Sequence, residues 1–245
     1  MKKSICLLVT TIVISLGSIC AQTEPVNFMV HEVIVKPWMA AQYREGMTKL
    51  KSACEQHKTS FGWQTIGHDD GSYIYLSPMK DFSQLGTNVF EELRTKMGAE
   101  ALGKIWAQLD ECTVSSTDYV VALLPELSYM KPAADENART VTHWYPLPGK
   151  DAEARTILAE WKKLYESKKS PAGYRVYAVV YGREHSYALV SWGKDAVDMA
   201  TKVKKSNEIL GEENQKMWAK TELITKKYHN IKAWVMPNFS YVPAK

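Results

Sequence analysis

The sequence predicts an α+β chain made of two consecutive units, each running β-α-β-β-α-β, behind a short leader. Three observations predict it. An apolar, charge-free run lies near the N-terminus; the remaining chain resembles itself at a spacing of about 112 residues; and each half alternates aromatic, β-branched segments with helical stripes. At 245 residues the chain holds one large domain or two small ones. A hydrophobic fraction of 45% and a charged fraction of 24% exclude a disordered, collagen-like or coiled-coil chain.

The leader begins Met1-Lys2-Lys3 and continues as an uncharged stretch from Ile5 to Ile19. Polarity returns at Gln22-Thr23-Glu24-Pro25. This is the layout of a secretory signal peptide, with cleavage expected after Ala21. The apolar run is short for a spanning helix, which needs about 20 residues. Lipid attachment at Cys20 is the weaker alternative, because bulky Ile19 precedes it. The expected address is therefore the periplasm or the medium, and no second segment is apolar enough to span a membrane. Without Lys2 and Lys3 the charge falls from +4 to +2, too little to argue for a nucleic-acid partner.

Removing 21 residues leaves 224, twice 112. Leu124-Pro125-Glu126-Leu127-Ser128-Tyr129 answers Met236-Pro237-Asn238-Phe239-Ser240-Tyr241 at a shift of 112, as Trp106 answers Trp218. Ser72-Tyr73 answers Ser186-Tyr187 at 114, and Gly62-Trp63 answers Gly173-Tyr174 at 111. Small drifts of this kind are expected when insertions sit in loops. The reading is a duplication, with a first unit over 22–131 and a second over 132–245. A repeat this long is a small domain rather than a solenoid unit.

In the first unit Phe28–Val35 reads as a strand ended by Pro37. Tyr43, Met47, Leu50 and Cys54 form one apolar stripe of a helix over about 39–57. Residues 62–67 and 72–77 flank Asp69-Asp70-Gly71, a hairpin signal. Asp81 caps a short helix through Leu85. A longer helix covers Ala99–Glu111, and Tyr119–Leu124 closes the unit. The second unit repeats the order: strand 140–147, helix 152–167, hairpin strands 174–181 and 186–192, a helix carrying Ile209, Leu210, Met217 and Trp218, and strand 231–236. This is the ferredoxin-like order, one antiparallel sheet with both helices on one face. Each sheet's other face is too apolar to be left to water, and the sister unit is its economical cover.

The strand, Pro turn, amphipathic helix, aromatic hairpin and closing strand, with Leu147-Pro148-Gly149-Lys150-Asp151-Ala152-Glu153 at a helix start, resemble the dimeric α+β barrel superfamily, which includes antibiotic-biosynthesis-monooxygenase-like proteins. Val35-Lys36-Pro37 is a partial match, with Trp38 where Gly is expected. The resemblance implies two ferredoxin-like units packed sheet to sheet as a pseudo-dimeric barrel around a cavity. It implies that the Ser-Tyr tails cross onto the opposite unit. It allows a cofactor-independent monooxygenase or a haem-handling enzyme.

Candidate ligand-binding residues are His31, His143, Trp63, Tyr75, Tyr177, Tyr187 and Trp218. Imidazole exchanges protons near neutral pH. His31 answers His143 at 112, whereas aligning Pro37 with Pro148 shifts the register by one and turns the two to opposite faces. Strand aromatics can wall a cavity with hydroxyls for orientation, although core packing is the more ordinary account of them. Trp106 is weighed in the same way. Cys54 and Cys112, the cysteines left after the leader, are expected to form a disulfide, on the expectation that both helices run the same way across the sheet. No CxxC or clustered His/Cys spacing supports zinc, and no nucleotide or serine-hydrolase motif occurs. The residues name no cofactor. The expected function is binding of a small apolar or aromatic molecule between the units; the alternatives are the enzyme just named and a non-catalytic interaction protein with a filled core. One chain supplying both halves implies a monomer.

Overall fold

A computed structural model describes residues 25–243, and the expected leader over residues 1–21 lies outside them. The first half contains β1 (Val26–Val35), α1 (Ala40–His57), β2 (Gln64–His68), β3 (Ser72–Met79), α2 (Glu91–Met97), α3 (Ala99–Cys112) and β4 (Thr113–Leu123). The second contains β5 (Ala138–Pro146), α4 (Asp151–Lys168), β6 (Tyr174–Tyr181), β7 (Tyr187–Gly193), α5 (Ala196–Glu222) and β8 (Thr225–Val235). The short helix expected after Asp81 is a 3-10 turn, Phe82–Gly86, whose first free N–H groups are met by the Asp81 carboxylate accepting from Ser83. The Glu91–Met97 helix has no counterpart in the sequence reading. Its seven residues are too few for a periodic stripe to stand out.

All eight strands close into one antiparallel barrel in the order β1-β3-β2-β8-β5-β7-β6-β4. The halves therefore join along both edges, at β2–β8 and β4–β6, with their inner faces opposed across the barrel. The β2–β8 seam is short, with Ile66, Gly67 and His68 opposite Val235, Trp234 and Ala233. Strand alternation divides the side chains. Phe28 and Val30 point inward, where they meet Val121, Leu123 and Val179 from both halves. Val33 and Val35 point outward under α1 and α3. The inner space is thus filled by side chains. The sequence-based expectation of a ligand cavity between the two sheets is corrected, because closing eight short strands draws the opposed apolar faces into contact.

The segments after β4 and β8 cross over. Tyr129 pairs with Tyr174 on β6, and Tyr241 pairs with Trp63 beside β2. Trp63 Nε1 donates to the Phe239 carbonyl at 2.8 Å, and the Tyr241 hydroxyl donates to the Thr59 carbonyl at 2.8 Å. Each tail passes over a glycine. A Cβ at Gly62 would lie 2.8 Å from the Tyr241 carbonyl oxygen and would strike the Pro243 ring. One at Gly173 would lie 2.5 Å from the Trp192 ring and 2.9 Å from Met130 Cβ.

The expected disulfide is also corrected. Cys54 and Cys112 are free, buried thiols. Helices α1 and α3 run antiparallel, not parallel. Gly46 on α1 meets Leu109, Gln108 donates to the Gln42 carbonyl, and the Lys36 N–H donates to the Cys112 carbonyl ahead of α1. At the other end of α1, His57 and Ser60 meet Lys96 and Glu92 on α2. Cys54 lies eight residues, about 12 Å along the helix, beyond Gly46 in the direction away from Cys112. A bridge requires Cα atoms within about 7 Å.

Replacing Gly62 or Gly173 by Ala is expected to lower unfolding free energy by about 1–3 kcal/mol. Gly103→Ala, on the exposed face of α3 with open space around it, is expected to raise it by about 0.5–1 kcal/mol. Denaturant unfolding of the three variants checks both directions.

Candidate functional site

A cavity of about 520 Å³ lies on the outer face of the first half's sheet, beneath α1 and α3 and beside the 82–90 segment. Strand β1 contributes Met29 and His31, β3 contributes Tyr75, and α1 contributes Tyr43 and Met47. Phe61, Trp63, Phe90 and Trp106 supply aromatic wall; Phe90 and Trp106 stack edge to face with ring centroids 5.0 Å apart.

Two polar pairs stand in this lining. The hydroxyls of Tyr43 and Tyr75 are 2.8 Å apart and buried. Burial pushes both phenols well above the ordinary tyrosine range, so they stay protonated. Each can turn one donor or one lone pair toward a guest. The second pair is His31 and Asp118, cross-strand partners on β1 and β4. His31 Nδ1 lies 2.7 Å from Asp118 Oδ1. A carboxylate accepts only, so His31 donates from Nδ1, and in the neutral imidazole Nε2 carries the lone pair. Both residues are substantially exposed, which places this pair where the cavity meets solvent.

Of the residues expected from sequence, His31, Trp63 and Tyr75 come together here. The others do not join them. Tyr187 is fully buried in the second half's core, where its hydroxyl donates to Asp151. Tyr177 faces the barrel interior beside Phe28. Trp218 is half-exposed on α5 and packs on Trp161. The matching outer layer of the second half is closed by Trp144, Trp161, Tyr174 and Tyr187 in one cluster. The sequence reading did not single out Tyr43, Phe61, Phe90 or Asp118 as site residues. Tyr43 was legible as part of the α1 stripe. Asp118 was not, because only the β1–β4 register sets it beside His31.

His143 is corrected by one residue. Bulges fall between Ile34 and Val35 and between Tyr145 and Pro146, so Glu32, not His31, holds the ladder position of His143. Both face the barrel interior. There Glu32 accepts from Arg183 at 2.5 Å, and Arg183 lies 5.0 Å over the Tyr119 ring. His143 is buried, and burial together with the Arg183 charge and the neighbouring His68 and His229 lowers its pKa to about 4 against the attraction of Glu32. His68 is likewise lowered by burial, against Asp70 and Glu32. Among the described residues no group of three His, Cys, Asp or Glu is arranged to hold a metal ion. No described helix is long and apolar enough to cross a membrane.

The sequence matches no family model and no curated protein. Its fold does match solved structures. An anthrone oxidase-like protein aligns with a TM-score of 0.58 at 13% identity, over 89% of this chain and 93% of its own. A candidate monooxygenase from Lactobacillus acidophilus NCFM aligns with a TM-score of 0.53 at 12% identity, over 90% and 98%. Chlorite dismutase from Candidatus Nitrospira defluvii, solved with imidazole, aligns with a TM-score of 0.55 at 7% identity, over 90% and 95%. At such identities the likeness speaks for the fold alone. The chain has the dimeric α+β barrel fold, as the sequence resemblance implied, closed here by the strands of a single polypeptide.

The folded chain holds His143 neutral down to about pH 4, whereas an unfolded chain protonates it near the ordinary 6.5. The unfolded state therefore takes up the proton first as pH falls. Stability from this group is full above pH 6.5 and is lost as pH drops toward 4, by about 3 kcal/mol. His143→Gln should flatten that part of a stability-against-pH profile measured by urea unfolding.

Proposed function

We propose that the protein binds a small aromatic molecule in the first-half cavity and oxidises it as a monooxygenase that needs no resident cofactor. The observation that carries this reading is the cavity itself: an aromatic chamber holding a buried hydroxyl pair, with an oriented imidazole where it meets solvent. The hydroxyls of Tyr43 and Tyr75 hold an oxygen function of the guest. The free Nε2 of His31 accepts a proton from an acidic C–H or O–H, and Asp118 stabilises the imidazolium that forms. For an activated methylene the overall change is CH2 plus O2 to C=O plus H2O, which balances with O2 as the sole oxidant. The anthrone oxidase-like protein and the candidate monooxygenase, which share the fold, make this the chemistry to test first.

Haem is the other group the fold resemblance allows. The lining does not suit it. His31 could serve as an axial ligand, but haem carries two propionates, and among the described residues neither Lys nor Arg lines the cavity, while Asp110 and Asp118 do. Two carboxylates facing two carboxylates repel.

The wider reading has three further parts. The shared strand order of the halves and the crossed tails support a duplication, with units over 22–131 and 132–245. Closure of both seams within one chain leaves no free strand edge among the described residues, which supports a monomer. The charge and apolar pattern of residues 1–21 supports export to the periplasm or the medium after cleavage at Ala21.

With anthrone as probe, we expect quenching of Trp63 and Trp106 fluorescence and oxygen uptake at an oxygen electrode. His31→Ala should lower the rate about 10²–10⁴-fold while leaving binding nearly unchanged. Quenching without oxygen uptake above the buffer rate would reduce the protein to a binding module. Secreted protein should begin at Gln22 by intact mass; a chain retaining Met1 would overturn the export reading.

A further inference from the structure

We propose that the guest of this cavity carries a positive charge beside its aromatic body, as an arylalkyl ammonium does. The inference deepens the proposed function and rests on its reading that the cavity takes a small aromatic molecule. Its basis is the charge of the lining. Lys and Arg make up 31 of the 245 residues, yet among the described residues none lines the cavity. Two carboxylates do: Asp110 on the last turn of α3 and Asp118 on β4. Asp110 has no ion-pair partner among the described residues, unlike most acidic groups on the helices around it, where Glu45, Glu55, Glu91 and Glu92 each hold a Lys or Arg. Asp118 is held only by His31.

The aromatic wall adds to the same field. A ring's face carries negative quadrupole that attracts a cation and repels an anion, and Phe61, Trp63, Phe90 and Trp106 supply such rings to the lining. The deep hydroxyls of Tyr43 and Tyr75 remain protonated and bring no charge. His31 is the single group of the lining able to become positive, and Asp118 would neutralise it. Carboxylates at the mouth and π faces on the wall therefore act together. A cationic head group is held near Asp110 and Asp118 while the rings of the guest bury apolar surface inside.

The test uses three ligands with one naphthalene body: 1-naphthylmethylammonium, 1-naphthalenemethanol and 1-naphthalenecarboxylate. Binding to the full chain is read by tryptophan fluorescence, above the histidine titration range. The ammonium should bind about tenfold more tightly than the alcohol, and the carboxylate weakest of the three. High salt should shrink the ratio between ammonium and alcohol. Asp110→Asn and Asp118→Asn should each bring that ratio toward unity. If the alcohol binds as tightly as the ammonium, or the carboxylate binds best, the charge preference is wrong while the aromatic cavity stands. If none of the three binds, the cavity reading itself fails and takes this inference with it.

Discussion

The whole structure depends on closing one sheet twice. A four-stranded ferredoxin-like sheet has two free edges and one uncovered apolar face. Here β2 meets β8 and β4 meets β6, so every edge finds a partner and the inner faces share one core. The seams are unequal. β4–β6 includes a register irregularity beside Val120, and β2–β8 is only three pairs long. The crossed tails compensate. Residues 236–241 extend the short seam by bonding to Thr65 and Trp63, and residues 124–129 do the same along β6. Ser240 and Ser128 repeat one device, each meeting a backbone N–H of the opposite half with its hydroxyl, at Thr65 and at Val176.

The two halves have used this shared frame differently. In the second, large rings fill the space between sheet and helices, and Tyr187 is locked to Asp151 at the start of α4. In the first, the rings stand around a space instead of filling it. The polar groups have also changed sides. His31 faces the helices in the first half, and the residue at the ladder position of His143 is Glu32, which lies inside the barrel with Arg183. A single-residue offset is enough for this, because alternate side chains of a strand point to opposite faces.

Most of the fold was legible because it is written in short-range patterns. The α1 stripe, the Asp70-Gly71 turn and the Asp81 cap were readable from spacing and residue type. The repeated Ser-Tyr tails, through the family resemblance, pointed to the crossing. What stayed hidden depends on long-range geometry. The relative direction of α1 and α3 decides whether Cys54 can reach Cys112, and no local pattern states it. The packing of the barrel interior moved the cavity from between the sheets to beneath the helices. Asp118 sits in a stretch of exposed strand with no pattern of its own, and gains its meaning only from lying opposite His31.

The exchange of tails also sets an order of events for the growing polypeptide. The edge of the first half is completed by residues that follow β8. Tyr241 is a member of the first half's core, more than 180 positions from the Thr59 carbonyl to which its hydroxyl donates. The first half therefore cannot reach its finished form until residues 236–241 have been synthesised. Its strands, though made first, wait incomplete for a segment of the second half's tail.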